Sequence, residues 1–341
     1  MTKVICSYVE SKNHLMLSHP EHPQRFERMR DWLEAPPYSE LSFIKVTPAL
    51  YEEILGAHSP EMLLSLKIAC SMGLQEIEPA PTFVTEDSCE AMVMAAGGVL
   101  TLSRQILDHQ SSARRGFAII RPPGHHADRD KPMGFCLLNN TAIGVADALE
   151  RGLKRIAIID FDGHHGNGTQ AIFQNDPHVG FFSMHQENFY PNSGLIDNQV
   201  PGRIINLPLP FNTGDYALDD IGNRLLKPWI ASFLPEMLFV SAGFDGHFAD
   251  PLTGLGFSTQ GYYKLAKLLI GLADEVCQGR LLFILEGGYD SLALKESIQA
   301  VLCAMVNEIE FPDTLGENPY HGESIDDRLT FLSHLHQLES F

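Results

Sequence analysis

Arg155-Ile-Ala-Ile-Ile-Asp160-Phe-Asp162-Gly-His164-His-Gly-Asn167-Gly-Thr169 is the stretch on which the fold turns. Its first half is apolar at successive positions, the mark of a strand covered on both faces. Its second half changes to carboxylates, imidazoles and glycines, so the strand must end in a loop that carries chemistry. Six further runs read as strands: Val4 to Val9, Leu41 to Val46, Gly116 to Ile120, Val179 to Met184, Met237 to Ser241 and Leu281 to Leu285. Between them Pro23 to Leu33, Pro60 to Cys70, Ser88 to Leu107, Asn139 to Arg151, Tyr216 to Phe233, Gln260 to Cys277 and Ser291 to Val306 read as helices. That alternation predicts an α/β fold with a mostly parallel sheet. No repeat, low-complexity tract or Pro/Gly/Ser-rich linker divides the chain, so residues 1–341 are expected to form one domain.

Composition narrows the function classes. The 341 residues carry 24 Lys+Arg against 43 Asp+Glu, a net charge of −19, which argues against direct nucleic-acid binding. No run of about 18 apolar residues is present to span a membrane, and the N-terminal apolar run is too short for a signal peptide. Six cysteines lie scattered at 6, 70, 89, 136, 277 and 303 with no Cys-x-x-Cys pair, as in a reduced protein. The expectation is a cytoplasmic protein.

In open parallel sheets, ligands bind at the carboxyl ends of the strands. Four strands run into unusual loops: Arg121-Pro-Pro-Gly-His125-His126, Asp162 to Gly168, Gly243-Phe-Asp245 and Glu286-Gly-Gly-Tyr289. Asp160, Asp162 and His164 at i, i+2 and i+4 share a face while the strand persists. Carboxylate and imidazole without thiolate suit Zn²⁺ or Fe²⁺, and Asp245 is the natural third ligand beside Asp162 and His164. Capping the next helix is the ordinary role of one such carboxylate. Two carboxylates, a His-His pair and three glycines within nine residues exceed that need. His185, ending a neighbouring strand, is left out of the ligand set. His125 and His126 could serve as general bases, ligands or surface residues, with Asp160 and Asn167 available to orient them. Tyr289 could be packing or a donor to a developing oxyanion.

Arg121-Pro-Pro-Gly-His-His-Ala127, Gly134-Phe-Cys-Leu-Leu-Asn-Asn140, Asp160-Phe-Asp-Gly-His-His-Gly-Asn-Gly-Thr169, Ser241-Ala-Gly-Phe-Asp245 and Glu286-Gly-Gly-Tyr289 resemble, in order and spacing, the metal-dependent histone deacetylase family. That family includes acetylpolyamine amidohydrolases and acetoin-utilisation proteins. The likeness runs from His19-Pro-Glu-His-Pro-Gln-Arg25 through Ala95-Ala-Gly-Gly98 to about Val306. Asn167 and the run Met133 to Cys136 resemble the class II branch.

The resemblance implies an arginase/deacetylase fold, an eight-stranded sheet between helices. It implies one catalytic Zn²⁺ on Asp162, His164 and Asp245, a site whose ligand chemistry also suits Fe²⁺ in its place. It implies a structural K⁺ at Asp160, Asp162, His164, Ser183 and Met184, and a second K⁺ near Phe173 and Val179. Gly134, Phe135, Tyr190 and Leu252 match the substrate tunnel, with Tyr190 where Phe is usual. His126 would be the general base, His125 an electrostatic partner bonded toward Asp160, and Tyr289 the oxyanion donor. Some class II relatives carry His in place of that Tyr. Leu252 stands where polyamine-selective relatives carry an acidic residue, which favours acyl-lysine peptides or proteins over free polyamines, although Asp250 is near. A binuclear manganese ureohydrolase would want further carboxylates or histidines where Gly163 and Phe244 stand, and a binding-only protein would want damage in the catalytic set.

The segment 307–341 departs from the family core, with eight acidic residues against Arg328 alone. Ile325, Leu329, Phe331, Leu332, Leu335 and Leu338 make a stripe at helical spacing. Such a stripe predicts a terminal helix packed on its own domain, with a subunit contact in a homo-oligomer as the alternative.

Overall fold

A computed structural model describes residues 3–78, 81–320 and 322–338. The last three residues of the C-terminal extension lie outside the described residues. Among the described residues ten strands form, β1 Lys3–Val9, β2 Leu41–Phe43, β3 Gln75–Glu78, β4 Thr82–Val84, β5 Ala113–Ile120, β6 Ile156–Asp160, β7 Val179–Gln186, β8 Ile204–Leu209, β9 Met237–Ala242 and β10 Leu281–Leu285. Eight of them make one sheet in the order β2-β1-β5-β10-β9-β6-β7-β8, and β3 and β4 pair separately. Every pairing in the large sheet is parallel.

The doubly apolar runs explain the three layers. Along β6, Ala157 and Ile159 point into one core while Ile156 and Ile158 point into the other. The first core is roofed by helices such as Thr259–Cys277 and Ser291–Val306, the second by Ser88–Leu107 and Asn140–Glu150. After β5 the chain crosses two strand places to β6, and β9 and β10 later fill the gap. Such a switch opens a crevice at the strand ends.

Several elements differ from the sequence expectation. Ile204–Leu209 was not anticipated as a strand, because Pro208 interrupts it; it survives as the sheet's edge, where a missing N–H can face away from the ladder. The β3–β4 hairpin was also missed. Pro23–Leu33 winds as a 3-10 helix, and the helix expected over Tyr216 to Phe233 contains a wide π turn at Gly222–Leu226. The C-terminal helix Asp326–Leu335 packs on its own chain, burying Ile325, Leu329, Leu332 and Leu338 and leaving Phe331 exposed. Arg224 pairs with Asp326 at 2.9 Å, and Arg328 with Glu187 at 2.9 Å. No helix among the described residues is long and apolar enough to cross a membrane.

The second K⁺ position implied near Phe173 and Val179 is taken by a side chain. Arg203 Nη1 donates to the carbonyls of Phe173, Asp176 and Val179 at 3.1, 3.0 and 3.2 Å, and Nη2 donates to Gln174 O. A guanidinium presents a fixed fork of donors. It satisfies these carbonyls and leaves the ion no room, which corrects the expectation.

A second buried cation system joins the N-terminal segment to the sheet. Arg121 and Glu21 are fully buried, with Arg121 donating to Glu21 Oε1 and Oε2 at 2.6 and 2.8 Å. Arg121 also donates to the carbonyls of Glu10 and His14 at 2.7 and 3.1 Å. Arg25 reaches Glu21 Oε1 at 3.1 Å. Burial works upward on the Glu21 carboxyl, but Arg121 and Arg25 outweigh it and hold its pKa down at about 2.

Relative to an ordinary 4.5, that depression corresponds to about 3 kcal/mol of folding stability, present above pH 4.5 and lost as the pH falls toward 2. Glu21→Gln is therefore expected to lose about 3 kcal/mol in denaturant titrations at pH 7, with the gap to wild type narrowing below pH 4.5. Arg203→Ala is expected to lose about 2 kcal/mol by orphaning several carbonyls. KCl, compared with NaCl at equal ionic strength, should raise the melting temperature of that variant more than that of wild type.

Candidate active site

Five neighbouring strands, β5, β10, β9, β6 and β7, end on the same edge, and their following loops bring the unusual residues together. Asp160 closes β6, opposite Ser241 on β9 and Ser183 on β7. The carboxylates behind the edge are anchored by main-chain donors. Asp160 Oδ1 accepts from Asp162 N at 3.2 Å, Asp162 Oδ2 from Gly287 N at 2.8 Å, and Asp245 Oδ1 from Gly163 N at 2.7 Å. Gly287 and Gly243 permit this approach. A Cβ on Gly287 would lie 2.6 Å from Asp162 Oδ2 and 2.8 Å from Asp245 Oδ2, and one on Gly243 would overlap Asp162 Oδ2.

Asp162, His164 and Asp245 each turn one ligand atom inward, and these atoms lie within 4.8 Å of one another. His164 Nδ1 is 3.1 Å from Asp162 Oδ1 and 2.8 Å from Asp245 Oδ2. A single N–H cannot serve both, and buried Asp245 Oδ2 has no hydrogen-bond partner. An orphaned carboxylate oxygen facing an imidazole nitrogen and a second carboxylate fits a divalent cation of the Zn²⁺ or Fe²⁺ type.

The electrostatics express the same demand for positive charge. Burial works to lower the pKa of His164, yet Asp245 and Asp162 overcome it and raise it to about 10. His125 behaves alike: burial opposes its charge, and Asp160 and Asp162 raise it to about 10. His126 is pushed well below 6.5 by burial and by its neighbours His125 and His164. The adjacent histidines are thus driven apart. Their partners differ accordingly, His125 Nδ1 lying 3.0 Å from Asp160 Oδ2 and His126 Nδ1 2.7 Å from Asn167 Oδ1. Asn167 Oδ1 only accepts, so His126 Nδ1 carries the hydrogen and Nε2 keeps its lone pair.

A pocket of about 210 Å³ opens over these groups. His125, His126, Asp162, His164 and Tyr289 line it together with Gly134, Phe135, Tyr190 and Leu252. Asp160, Asn167 and Asp245 stand behind the wall, and Ser183 and Met184 are buried in β7. His185 is held by Ser183 Oγ at 2.9 Å and Gly194 O at 3.0 Å, away from the trio. Tyr190 Oη is buried without a hydrogen-bond partner. Phe135, at φ +69°, is kept in the left-handed region by its N–H, which donates to Thr82 Oγ1 at 3.0 Å.

Sequence reasoning assigned no task to three residues that shape this pocket. Arg25 donates to Gly288 O and Glu286 O, both at 2.7 Å, and its guanidinium sits 4.8 Å from the Tyr289 ring centre. It braces the turn that presents the tyrosine. Asp250 accepts from Tyr289 N at 2.6 Å, Asp290 N at 3.1 Å and Leu252 N at 3.0 Å. Phe189 lines the pocket beside Tyr190. The Arg25 motif was visible as part of the resemblance; the Asp250 bonds had no local signal.

Comparison with known proteins agrees with the geometry. Residues 19–305 match the family described as histone deacetylase domain. The chain is 37% identical over 326 residues to histone deacetylase 14, chloroplastic, of Arabidopsis thaliana, covering 90% of this chain and 77% of that protein. It is 36% identical over 280 residues to a probable deacetylase of Archaeoglobus fulgidus, covering 79% and 77%. The crystal structure of the HDA15 HD domain superposes with a TM-score of 0.86 at 27% identity, over 98% of this chain and 94% of that one. An eight-stranded parallel sheet that closes two carboxylates, an imidazole, a histidine pair and a tyrosine around one pocket is therefore no isolated design: the chain belongs to the histone deacetylase family and is a hydrolase of amide bonds.

Proposed function

We propose that the protein removes acetyl, or other acyl, groups from lysine side chains of peptides or proteins. The observation that carries this is the convergence of Asp162, His164 and Asp245 beneath a narrow pocket that also exposes His126 and Tyr289. The three ligand residues would hold one Zn²⁺, or Fe²⁺ in its place; when bound, such an ion polarises the acyl oxygen and acidifies a coordinated water. His126 Nε2, free because Nδ1 is committed to Asn167, takes a proton from the attacking water and returns it to the departing amine. His125, tied to Asp160, supplies positive charge beside the reacting centre. Tyr289, stiffened by Arg25, donates its hydroxyl to the oxygen that gains charge. A structural K⁺ would draw on Asp160, Asp162, His164, Ser183 and Met184, and the opposition of Asp160 and Ser183 in the sheet supports that assignment.

Substrate choice rests on charge at the pocket wall. Among the described residues Asp162 is the one carboxylate that lines it, and Asp162 belongs to the trio. Asp250, two residues before Leu252, spends its oxygens on three main-chain N–H groups and offers little to a substrate ammonium. This favours acyl-lysine over acetylpolyamine. Among the described residues only one group of three metal-competent side chains occurs, which favours a single catalytic ion over a binuclear centre. The net charge of −19 suits a basic lysine-bearing partner better than nucleic acid. We also take the chain to be one cytoplasmic domain, with 307–341 its helical extension.

Two measurements test this reading. Protein stripped with a chelator and restored with one Zn²⁺ per chain should hydrolyse acetyl-lysine peptides with kcat/KM about tenfold or more above that for acetylated polyamines. The reverse order would overturn the substrate assignment. Tyr289→Phe should lose about 10²–10³-fold in kcat with KM little changed; wild-type turnover would remove the tyrosine from the chemistry.

A further inference from the structure

Helices Pro60–Ser71 and Ser88–Leu107 bracket the β3–β4 hairpin. Gln75 Nε2 donates to Ala69 O at 2.9 Å on one side, and Thr85 N to Ser88 Oγ at 2.7 Å on the other. The hairpin is a wall of the pocket. Pro81 lines it, Thr82 Oγ1 takes the Phe135 N–H, and Glu78 Oε2 lies 3.4 Å from Gly134 N. Cys70 sits in the last turn of the first helix and Cys89 in the first turn of the second, so the two stand at the hairpin's base. Their sulfurs are 2.7 Å apart. A disulfide requires about 2.05 Å, a closure of about 0.7 Å that side-chain rotation can supply. Cys70 is buried and Cys89 half-buried, so an oxidant from solvent meets Cys89 first.

We propose that Cys70 and Cys89 form a reversible disulfide that locks the hairpin wall of the pocket. With a peroxide as oxidant, the Cys89 thiolate attacks one peroxide oxygen; an S–O bond forms, the O–O bond breaks and hydroxide leaves. Cys70 sulfur then attacks Cys89 sulfur, forming S–S while the S–O bond breaks and water departs. Two thiols lose two electrons and two protons, and one hydrogen peroxide becomes two waters. The bond closes a loop across the hairpin and leaves the wall in place with less freedom to yield. A yielding wall accommodates acyl chains longer than acetyl; a stapled one discriminates against them. This second consequence rests on the deacylase reading, while the disulfide itself does not.

The test treats Zn²⁺-loaded full chain with a small molar excess of hydrogen peroxide, then alkylates free thiols and maps peptides by mass spectrometry. The expected product links the Cys70 and Cys89 peptides and is lighter by two hydrogens. It reverts with dithiothreitol and is absent from Cys89→Ser and Cys70→Ala. Closing this loop should raise the melting temperature by about 5 °C. The kcat/KM ratio of hexanoyl-lysine to acetyl-lysine peptide should fall about threefold or more. Full alkylation of both cysteines after peroxide, or sulfinic acid without a link, would sink the site. A linked protein with unchanged melting temperature and unchanged acyl ratio would sink the lock. If the reduced protein hydrolysed neither peptide, the deacylase reading alone would fail, and the mass and melting data would still decide the disulfide.

Discussion

Three carboxylates, Asp160, Asp162 and Asp245, are buried within one small volume at the sheet's edge, and the rest of the molecule is arranged around that constraint. Charge taken out of water is costly unless it is hydrogen-bonded and neutralised. Main-chain N–H groups of Asp162, Gly163 and Gly287 answer part of the cost, and glycines at 243 and 287 let the backbone come close enough. His125 answers more with positive charge, and the pull of Asp162 and Asp245 on His164 marks where a cation would be favoured. What remains is an unpartnered oxygen on Asp245, a donor suited to a divalent cation. The same field that favours an ion gives the two adjacent histidines opposite characters, since Asp160 faces one and neutral Asn167 the other.

A second charge system stiffens the site from the opposite side. Glu21 neutralises Arg121 and approaches Arg25, and Arg25 holds the Glu286-to-Tyr289 turn through two carbonyls. A segment near the N-terminus thereby fixes a tyrosine more than 260 positions along the chain. Arg203 does a related task elsewhere, filling with a covalently attached cation a ring of carbonyls that would otherwise call for an ion.

The central features were legible because they are local. Asp160, Asp162 and His164 stand out as carboxylates and an imidazole at the end of an apolar run, and the unbroken apolar runs of β6, β9 and β10 announce a sheet buried on both faces. Tertiary facts were not legible. Ile204–Leu209 looks broken by Pro208 until its place at the edge is known. Arg203 reads as an ordinary surface cation until the loop carbonyls around it are seen. Cysteines 19 positions apart carry no pairing signal, so scattered thiols suggested no pair, yet Cys70 and Cys89 touch. Asp250 looked like a free acid near the gate because nothing in the chain tells that three amides have claimed it.

Those three amides bear on redesign. Asp250 holds Leu252 and Tyr289, which both line the pocket, through one carboxylate. Changes in the 250–252 loop made to alter selectivity will therefore disturb turnover as well, and the two traits will be selected together instead of separately. Phe135 packs edge-on against Tyr289 at 5.9 Å and Tyr190 against His126 at 5.1 Å, so changes of shape at that wall reach the same groups through ring contacts instead of hydrogen bonds.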